Sequence, residues 1–344
     1  MLLAVGQVCS TLAQSAKWRS KNRLQTTFEF DDNIRESLSD SLDALSATSL
    51  KLLFNTRISR LTPRTSFRIN YQGGLQSYFD HSIENKLINE ASAAGTIRLG
   101  RFRLGGKAQG RLKIYLNDVL DYASGSLEVT LGLPPVGKFS HQAAVRLSGI
   151  DYANFQSFNY GTVALSWTLV RKVTRHVAWN LTLSHTRISY DRGILQSAGT
   201  GQLRFLSRKQ SDRNLAFRSG ISYTKSFLFN LTYAVNDNNS NSLGFSYVRH
   251  QIVLLLGLPL QPGFWLRGYA ATQFKSYREK ELSMFPTDVD TERDESTFFI
   301  LDLSKDLKPN LTLLTRLAHY NNESVIRNRF YRKTVVSAGF DYRF

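Results

Sequence analysis

Cysteine occurs once in 344 residues, at Cys9. A single thiol excludes an intrachain disulfide framework and any zinc site built on cysteine pairs. Long apolar runs are missing as well. The longest, Ile252 to Leu260, is broken by Gly257 and Pro259 and falls well short of the ~20 residues of a spanning helix. If the chain crosses a membrane it must do so as a closed barrel, because only helices and barrels satisfy every backbone polar group in hydrocarbon. Acid is scarce beside base, 27 Asp and Glu against 44 Lys and Arg, for a net charge of +17. The basic residues are dispersed, with no basic tail, zinc-finger spacing or recognition-helix pattern, which argues against a nucleic-acid partner. No glycine-rich phosphate loop is present, and no cofactor motif.

What the sequence does have is alternation. In Lys333 to Phe344 (KTVVSAGFDYRF), Thr334, Val336, Ala338, Phe340, Tyr342 and Phe344 fall on one side of an extended strand. Lys333, Ser337, Gly339, Asp341 and Arg343 fall on the other. Successive strand residues face opposite ways, so this strand has one apolar, aromatic face and one polar face. The same rhythm repeats from Leu24 onward as strand, tight turn, strand and longer polar loop, at about 40 residues per unit. The expected strands are Leu24 to Asp31, Ala47 to Ser59, Thr65 to Phe79, Ala91 to Leu99, Gly106 to Leu116 and Gly125 to Leu133. They continue through Phe139 to Gly149, Asn159 to Leu169, Val177 to Tyr190, Phe227 to Val235, Leu243 to Leu256, Phe264 to Ser276, Thr297 to Leu303, Leu311 to Tyr320 and Phe330 to Phe344. Asp191 to Asn214 reads either as one spanning strand with its connections or as a long external loop with a non-spanning hairpin.

The fold class expected is therefore all-β: a single closed antiparallel transmembrane barrel of about 16 strands (14–18), occupying 24–344. Short turns would face the periplasm and longer loops the outside. Residues 1–16 read as a signal peptide cleaved near Ala13 or Ala16, and 17–23 as a short periplasmic segment. Val8 makes Cys9 a poor lipidation site. Six of the seven prolines (Pro63, Pro134, Pro135, Pro259, Pro262 and Pro309) are expected in short turns, and Pro286 in the longest loop, because proline cannot donate to a sheet ladder. Tyr71, Tyr78, Tyr115, Tyr122, Tyr160, Tyr190, Tyr247, Tyr269, Tyr277 and Tyr320 lie near strand ends, where aromatic girdles settle at the headgroups.

The polar faces carry the candidate site. They offer Lys51, Arg57, Arg68, Arg98, Lys107, Arg111, Lys113, Arg146, Arg218, Arg267, Lys275, Arg316 and Arg343 against Glu29, Asp31, Glu128, Asp302 and Asp341. A charge facing lipid near the midplane costs ~2–4 kcal/mol, so these residues belong in a wet lumen. Basic rings in such a lumen favour anions. Elsewhere arginine and lysine would meet lipopolysaccharide phosphates. Asp288, Asp290, Glu292 and Asp294 form a weak calcium candidate, since oxygen-rich loops hold that ion; no glycine stands where the loop would turn, and a solvated acidic loop is the plainer reading. Ser184 and His185 point to opposite faces, and no Ser, His and acid constellation marks an enzyme.

Two stretches resemble a known group. Phe28 to Asn33 (FEFDDN) is similar to the opening strand of the beta-barrel porin-2 family, and Thr291 to Phe344 is similar to its ending, with Lys308-Pro309-Asn310 in a turn, Asn321-Asn322-Glu323-Ser324 in a loop and a final Tyr-Arg-Phe. The barrel half of surface lipoprotein assembly modifiers looks similar too, but their helical-repeat domain has no counterpart in this sequence. The porin-2 resemblance implies a Gram-negative outer-membrane pore, in some members tied to exopolysaccharide export. The terminal Phe340, Tyr342 and Phe344 likewise resemble the closing-strand signal read by the barrel-assembly machinery. Two functions follow as alternatives: a channel with a net basic lumen for anionic solutes or polymer, or a plugged, non-conducting barrel docked to a periplasmic or envelope complex. A soluble basic β-protein is a third reading.

Overall fold

A computed structural model describes residues 18–34, 45–116, 121–197, 203–279, 297–322 and 331–344. The expected leader (1–16) and the acidic loop with Asp288, Asp290, Glu292 and Asp294 lie outside the described residues. Sixteen strands form one sheet: β1 (Arg19–Asp31), β2 (Ala47–Leu61), β3 (Thr65–Tyr78), β4 (Lys86–Leu99), β5 (Phe102–Tyr115), β6 (Tyr122–Val136), β7 (Phe139–Tyr152) and β8 (Tyr160–Lys172). Then come β9 (Val177–Ser197), β10 (Leu203–Thr224), β11 (Leu228–Ser240), β12 (Tyr247–Gln261), β13 (Phe264–Tyr277), β14 (Thr297–Lys308), β15 (Leu311–Asn322) and β16 (Tyr331–Arg343). Each strand pairs antiparallel with its sequence neighbours, and β1 pairs with β16 to close the barrel.

Alternation decides which residues face out. Leu127, Val129, Leu147, Val163 and Leu165 form part of a wide exposed apolar band on β6, β7 and β8. A patch of that size would be an aggregation liability in water and is satisfied only by an apolar solvent. The terminal aromatics Phe340, Tyr342 and Phe344 belong to the same outer face, 42–61% exposed, with Tyr342 stacked on Phe344 at 5.7 Å. The most buried side chains, by contrast, are mainly polar, among them Gln210, Asn238, Asp31 and Asp341. An arginine at Val129 on the outer face should therefore cost about 2–4 kcal/mol, whereas one at Gln142, on the inner face, should stay within about 0.5 kcal/mol. Urea titration of the refolded barrel in detergent micelles measures the difference.

Three expectations need correction. β1 starts at Arg19, so most of the segment assigned to 17–23 is already strand; both faces are polar there, and alternation gives no signal. Pro134, Pro135 and Pro259 lie inside strand ends rather than in turns. Pro134 and Pro135 fall within the register shift Leu133/Val136, where no ladder partner is lost, and Pro259 borders the shift Pro259/Gln261 at the strand end. The turns themselves fall to Gly137 (φ 58°) and Gly263 (φ 73°), in a backbone region open to glycine at little cost. In the ambiguous middle, Asp191 to Asn214, the hairpin reading holds: β9 and β10 run past the rim there, and the spanning part of β10, pairing from Ser211 to Tyr223, lies mostly beyond Asn214 in a stretch assigned to no expected strand. Above the rim both hairpin faces leave hydrocarbon, which is why no clean alternation marks it.

Candidate functional site: the inner face and its mouth

Directly opposed residues in an antiparallel pair point to the same side, so the register transfers the inner face from strand to strand. Starting from Thr27 opposite Lys51, the pairs Lys51–Gln76, Arg57–Asn70, Arg68–Ala94, Arg98–Arg103, Lys107–Glu128 and Glu128–Arg146 carry it across β2 to β7. Further round, Arg218, Arg267, Lys275, Arg316 and Arg343 stand on the same side. Arg23, Lys86, Arg103, Arg249 and Lys333 join them, as do Glu90, Asp212 and Asp306. Lys86 is missed if β4 is begun at Ala91; carrying the alternation back through Glu90 and Ile88 would have found it. Ser184 faces in and His185 out, so the two cannot act together.

The inner charges are unevenly paired. Around the closure, Arg23 Nε meets Asp341 at 2.6 Å and Lys333 Nζ meets Asp31 at 2.6 Å. Asp341 and Asp31 are each 2% exposed, so these pairs are structural: removing one cation would strand a buried carboxylate. Arg316 holds Asp302 through Nε (2.6 Å) and Nη2 (3.0 Å), and Lys51 reaches Glu29 at 3.9 Å. On the strands next to the closure the situation differs. Arg111 takes Glu90, but Arg68, Arg98, Arg103, Lys107 and Lys113 have no carboxylate within ion-pairing distance among the described residues. Arg68, Arg98, Arg103 and Lys107 are exposed. The β3 to β5 stretch therefore holds a cluster of uncompensated positive charge, and Arg57, Arg146, Arg218 and Arg267 also have no carboxylate within ion-pairing distance among the described residues.

The tyrosines require the largest correction. Of the expected girdle, only Tyr71 faces outward; Tyr78, Tyr115, Tyr122, Tyr160, Tyr190, Tyr247, Tyr269, Tyr277 and Tyr320 share the parity of the inner face. Their strand-end position is right and their side is wrong, because nearness to a loop says nothing about parity. Trp18, Phe67, Trp167 and Trp179 take outer positions near the tight turns instead.

Except for Tyr269, deeper in the strand, these inner tyrosines line the end with the longer loops, and the local sequence holds several of them there by one device. The Tyr78 N–H donates to Asn85 Oδ1 (2.6 Å), Tyr115 N–H to Asp121 Oδ1 (2.6 Å) and Tyr152 N–H to Asn159 Oδ1 (2.7 Å). In each case an Asn or Asp just before the next strand caps the last rung of the one before it. Two of these loops also contain a short 3-10 turn, Ser82–Glu84 and Gln156–Phe158. The loops then latch to one another: Leu116 N–H donates to Asn85 O (2.9 Å), Ala153 N–H to Asp121 O (3.0 Å) and Asp191 N–H to Asn159 O (2.9 Å). The mouth from β3 to β9 is thereby one hydrogen-bonded rim. Among the described residues no three His, Cys, Asp or Glu side chains group to hold a metal ion.

No family model matches the sequence, and no curated protein matches it. Among solved structures, the high-pH structure of Pseudomonas putida OprB aligns with a TM-score of 0.54 at 8% identity, covering 98% of this chain and 97% of that one. OmpT of Vibrio cholerae aligns at 0.47 and 9% identity (96% and 98% covered). Acinetobacter baumannii OccAB3 aligns at 0.45 and 9% (95% and 99% covered). At these identities the likeness is one of fold. The porin-2 resemblance thus rests on the two chain ends alone, while the closed ring of sixteen strands makes this chain an outer-membrane type β-barrel.

Proposed function

We propose that the barrel is an outer-membrane channel, not an enzyme, and that its basic lumen passes anionic solutes or an anionic polymer. The observation that carries this reading is the β3 to β5 wall, where Arg68, Arg98, Arg103 and Lys107 are exposed on the inner face with no carboxylate within ion-pairing distance among the described residues. Fixed charge on a narrow water-filled wall raises the local concentration of counter-ions. The ion-paired seam beside it, β14 to β2, adds rigidity and little field.

Reconstitution in a planar bilayer under a salt gradient tests this. The zero-current potential should take the sign of anion preference, and the preference should weaken as salt rises, because the Debye length shrinks from ~10 Å at 0.1 M to ~3 Å at 1 M. Steady conductance with cation preference would refute the basic-lumen reading. A stable barrel with no conductance would favour the docking alternative.

A further inference from the structure

The loop-end mouth carries an arrangement that a charged lumen alone does not require. Lys86 Nζ lies 5.4 Å from the centre of the Tyr78 ring and 5.8 Å from that of Tyr115. Lys113 Nζ lies 4.6 Å from the Tyr115 ring and 5.8 Å from the Tyr122 ring. Rings and ammonium groups thus alternate across β3, β4, β5 and β6. The device recurs on the facing side of the barrel, eight places away in the closed order, where Lys275 Nζ lies 3.9 Å from the Tyr247 ring and 5.2 Å from the Tyr277 ring. Between the two, Arg192 sits 4.5 Å from the Tyr190 ring and 4.4 Å from the Phe245 ring.

We propose that this tyrosine–lysine collar is a recognition site for an acidic oligosaccharide, seated at the mouth of the channel proposed above and resting on that reading. A cation held over an aromatic ring is positioned without being neutralised, unlike one held by a carboxylate. Neither Lys86 nor Lys113 has a carboxylate within ion-pairing distance among the described residues, so neither ammonium group is already spent on a fixed acid. A small inorganic anion needs no aromatic wall, and a neutral sugar needs no lysines. A single-stranded nucleic acid would use bare ring faces for stacking, yet here ammonium groups crowd the rings, Lys86 Nζ donating to the Tyr78 hydroxyl (3.1 Å) and Lys113 Nζ lying 4.6 Å from the Tyr115 centre. Phenol hydroxyls and ammonium groups set side by side suit hydroxyls and carboxylates carried on one ligand. The extent of the arc favours a chain over a single sugar. From β3 to β9 it crosses six strand spacings of ~4.8 Å, roughly 29 Å. The latched rim holds the collar before any ligand arrives, which lowers the ordering cost of binding.

The experiment uses the full-length barrel in a planar bilayer, with oligogalacturonate, neutral dextran of matched length and oligo-dT added in turn on the loop side. Oligogalacturonate should interrupt the current at concentrations where dextran and oligo-dT do not. The paired substitutions Lys86→Gln with Lys113→Gln should raise its half-blocking concentration about tenfold, ~1.4 kcal/mol, with block scored against each variant's own open current. Tyr115→Phe with Tyr122→Phe, which keeps the rings and removes the hydroxyls, should also weaken it. Equal block by dextran or oligo-dT, or block unchanged in both double variants, would overturn the proposal. If the wild type shows no current, the channel reading fails by itself; calorimetric titration of oligogalacturonate into the detergent-solubilised barrel then decides the collar separately, by binding or its absence.

Discussion

Replacing Gly339 by valine should leave no closed barrel: the unheated protein is expected to migrate on a semi-native gel entirely at its heat-denatured position. Gly339 stands on the inner face of β16 opposite Thr27 of β1, at the closure. A Cβ added there would lie 2.0 Å from Thr26 O, 2.6 Å from Thr27 Cα and 2.7 Å from Thr27 Cγ2. Two of these atoms are main chain, so no rotamer change relieves the clash, and the ~1–3 kcal/mol of ordinary overpacking is a floor. The strand pair forced apart is the one that makes the sheet edgeless. Opening it exposes two rows of unpaired backbone groups to lipid, each costing several kcal/mol. Gly268→Ala is the control. Nothing lies within 4 Å of a Cβ at Gly268, and that variant should keep the fast-migrating folded band. A folded band for Gly339→Val would show that the seam yields more easily than its geometry indicates.

Charge reversal at two positions should invert ion preference. Lys107 and Arg146 flank Glu128 in register across β5, β6 and β7, all on the inner face. Lys107→Glu with Arg146→Glu would align three carboxylates there and shift the local charge from +1 to −3. Field in a narrow aqueous pore follows such fixed charge, so the zero-current potential should change sign at low salt and relax toward zero at high salt. Like charges directly opposed on a sheet each cost a few tenths of a kcal/mol up to about 1, a loss the closed barrel tolerates. An unchanged potential would place the selectivity elsewhere along the passage, the loop-end collar being the alternative position.

Much of this architecture is legible in the sequence because one rule, alternation, writes both faces at once. The sides of Leu24, Phe28 and Phe30 and of Lys107, Arg111 and Lys113 follow from parity alone. Tyr115 shows where a second rule misled. Alternation through Leu112, Ile114 and Leu116 already places it inside, yet its nearness to a loop suggested a lipid girdle. Other features were not legible at all. Which cations are neutralised depends on register across strands: Arg316 and Asp302 face each other on neighbouring strands, whereas Asp31 and Lys333 come from opposite ends of the chain. The bulges that admit Pro134 and Pro259 belong to pairing too, and spacing within one strand does not reveal them.

The seam has a further meaning for how this molecule comes into being. Fifteen of its sixteen strand contacts join neighbours along the chain and can form as short hairpins. The sixteenth joins the two extremities, from Arg23 bonded to Asp341 to the reciprocal bonds of Asn22 N–H with Phe344 O (3.0 Å) and of Phe344 N–H with Asn22 O (3.1 Å). Nothing synthesised before β16 can finish the cylinder, and a ribbon short of that strand has two raw margins with no partner. Closure of this cylinder is therefore the one step that no local segment can complete by itself.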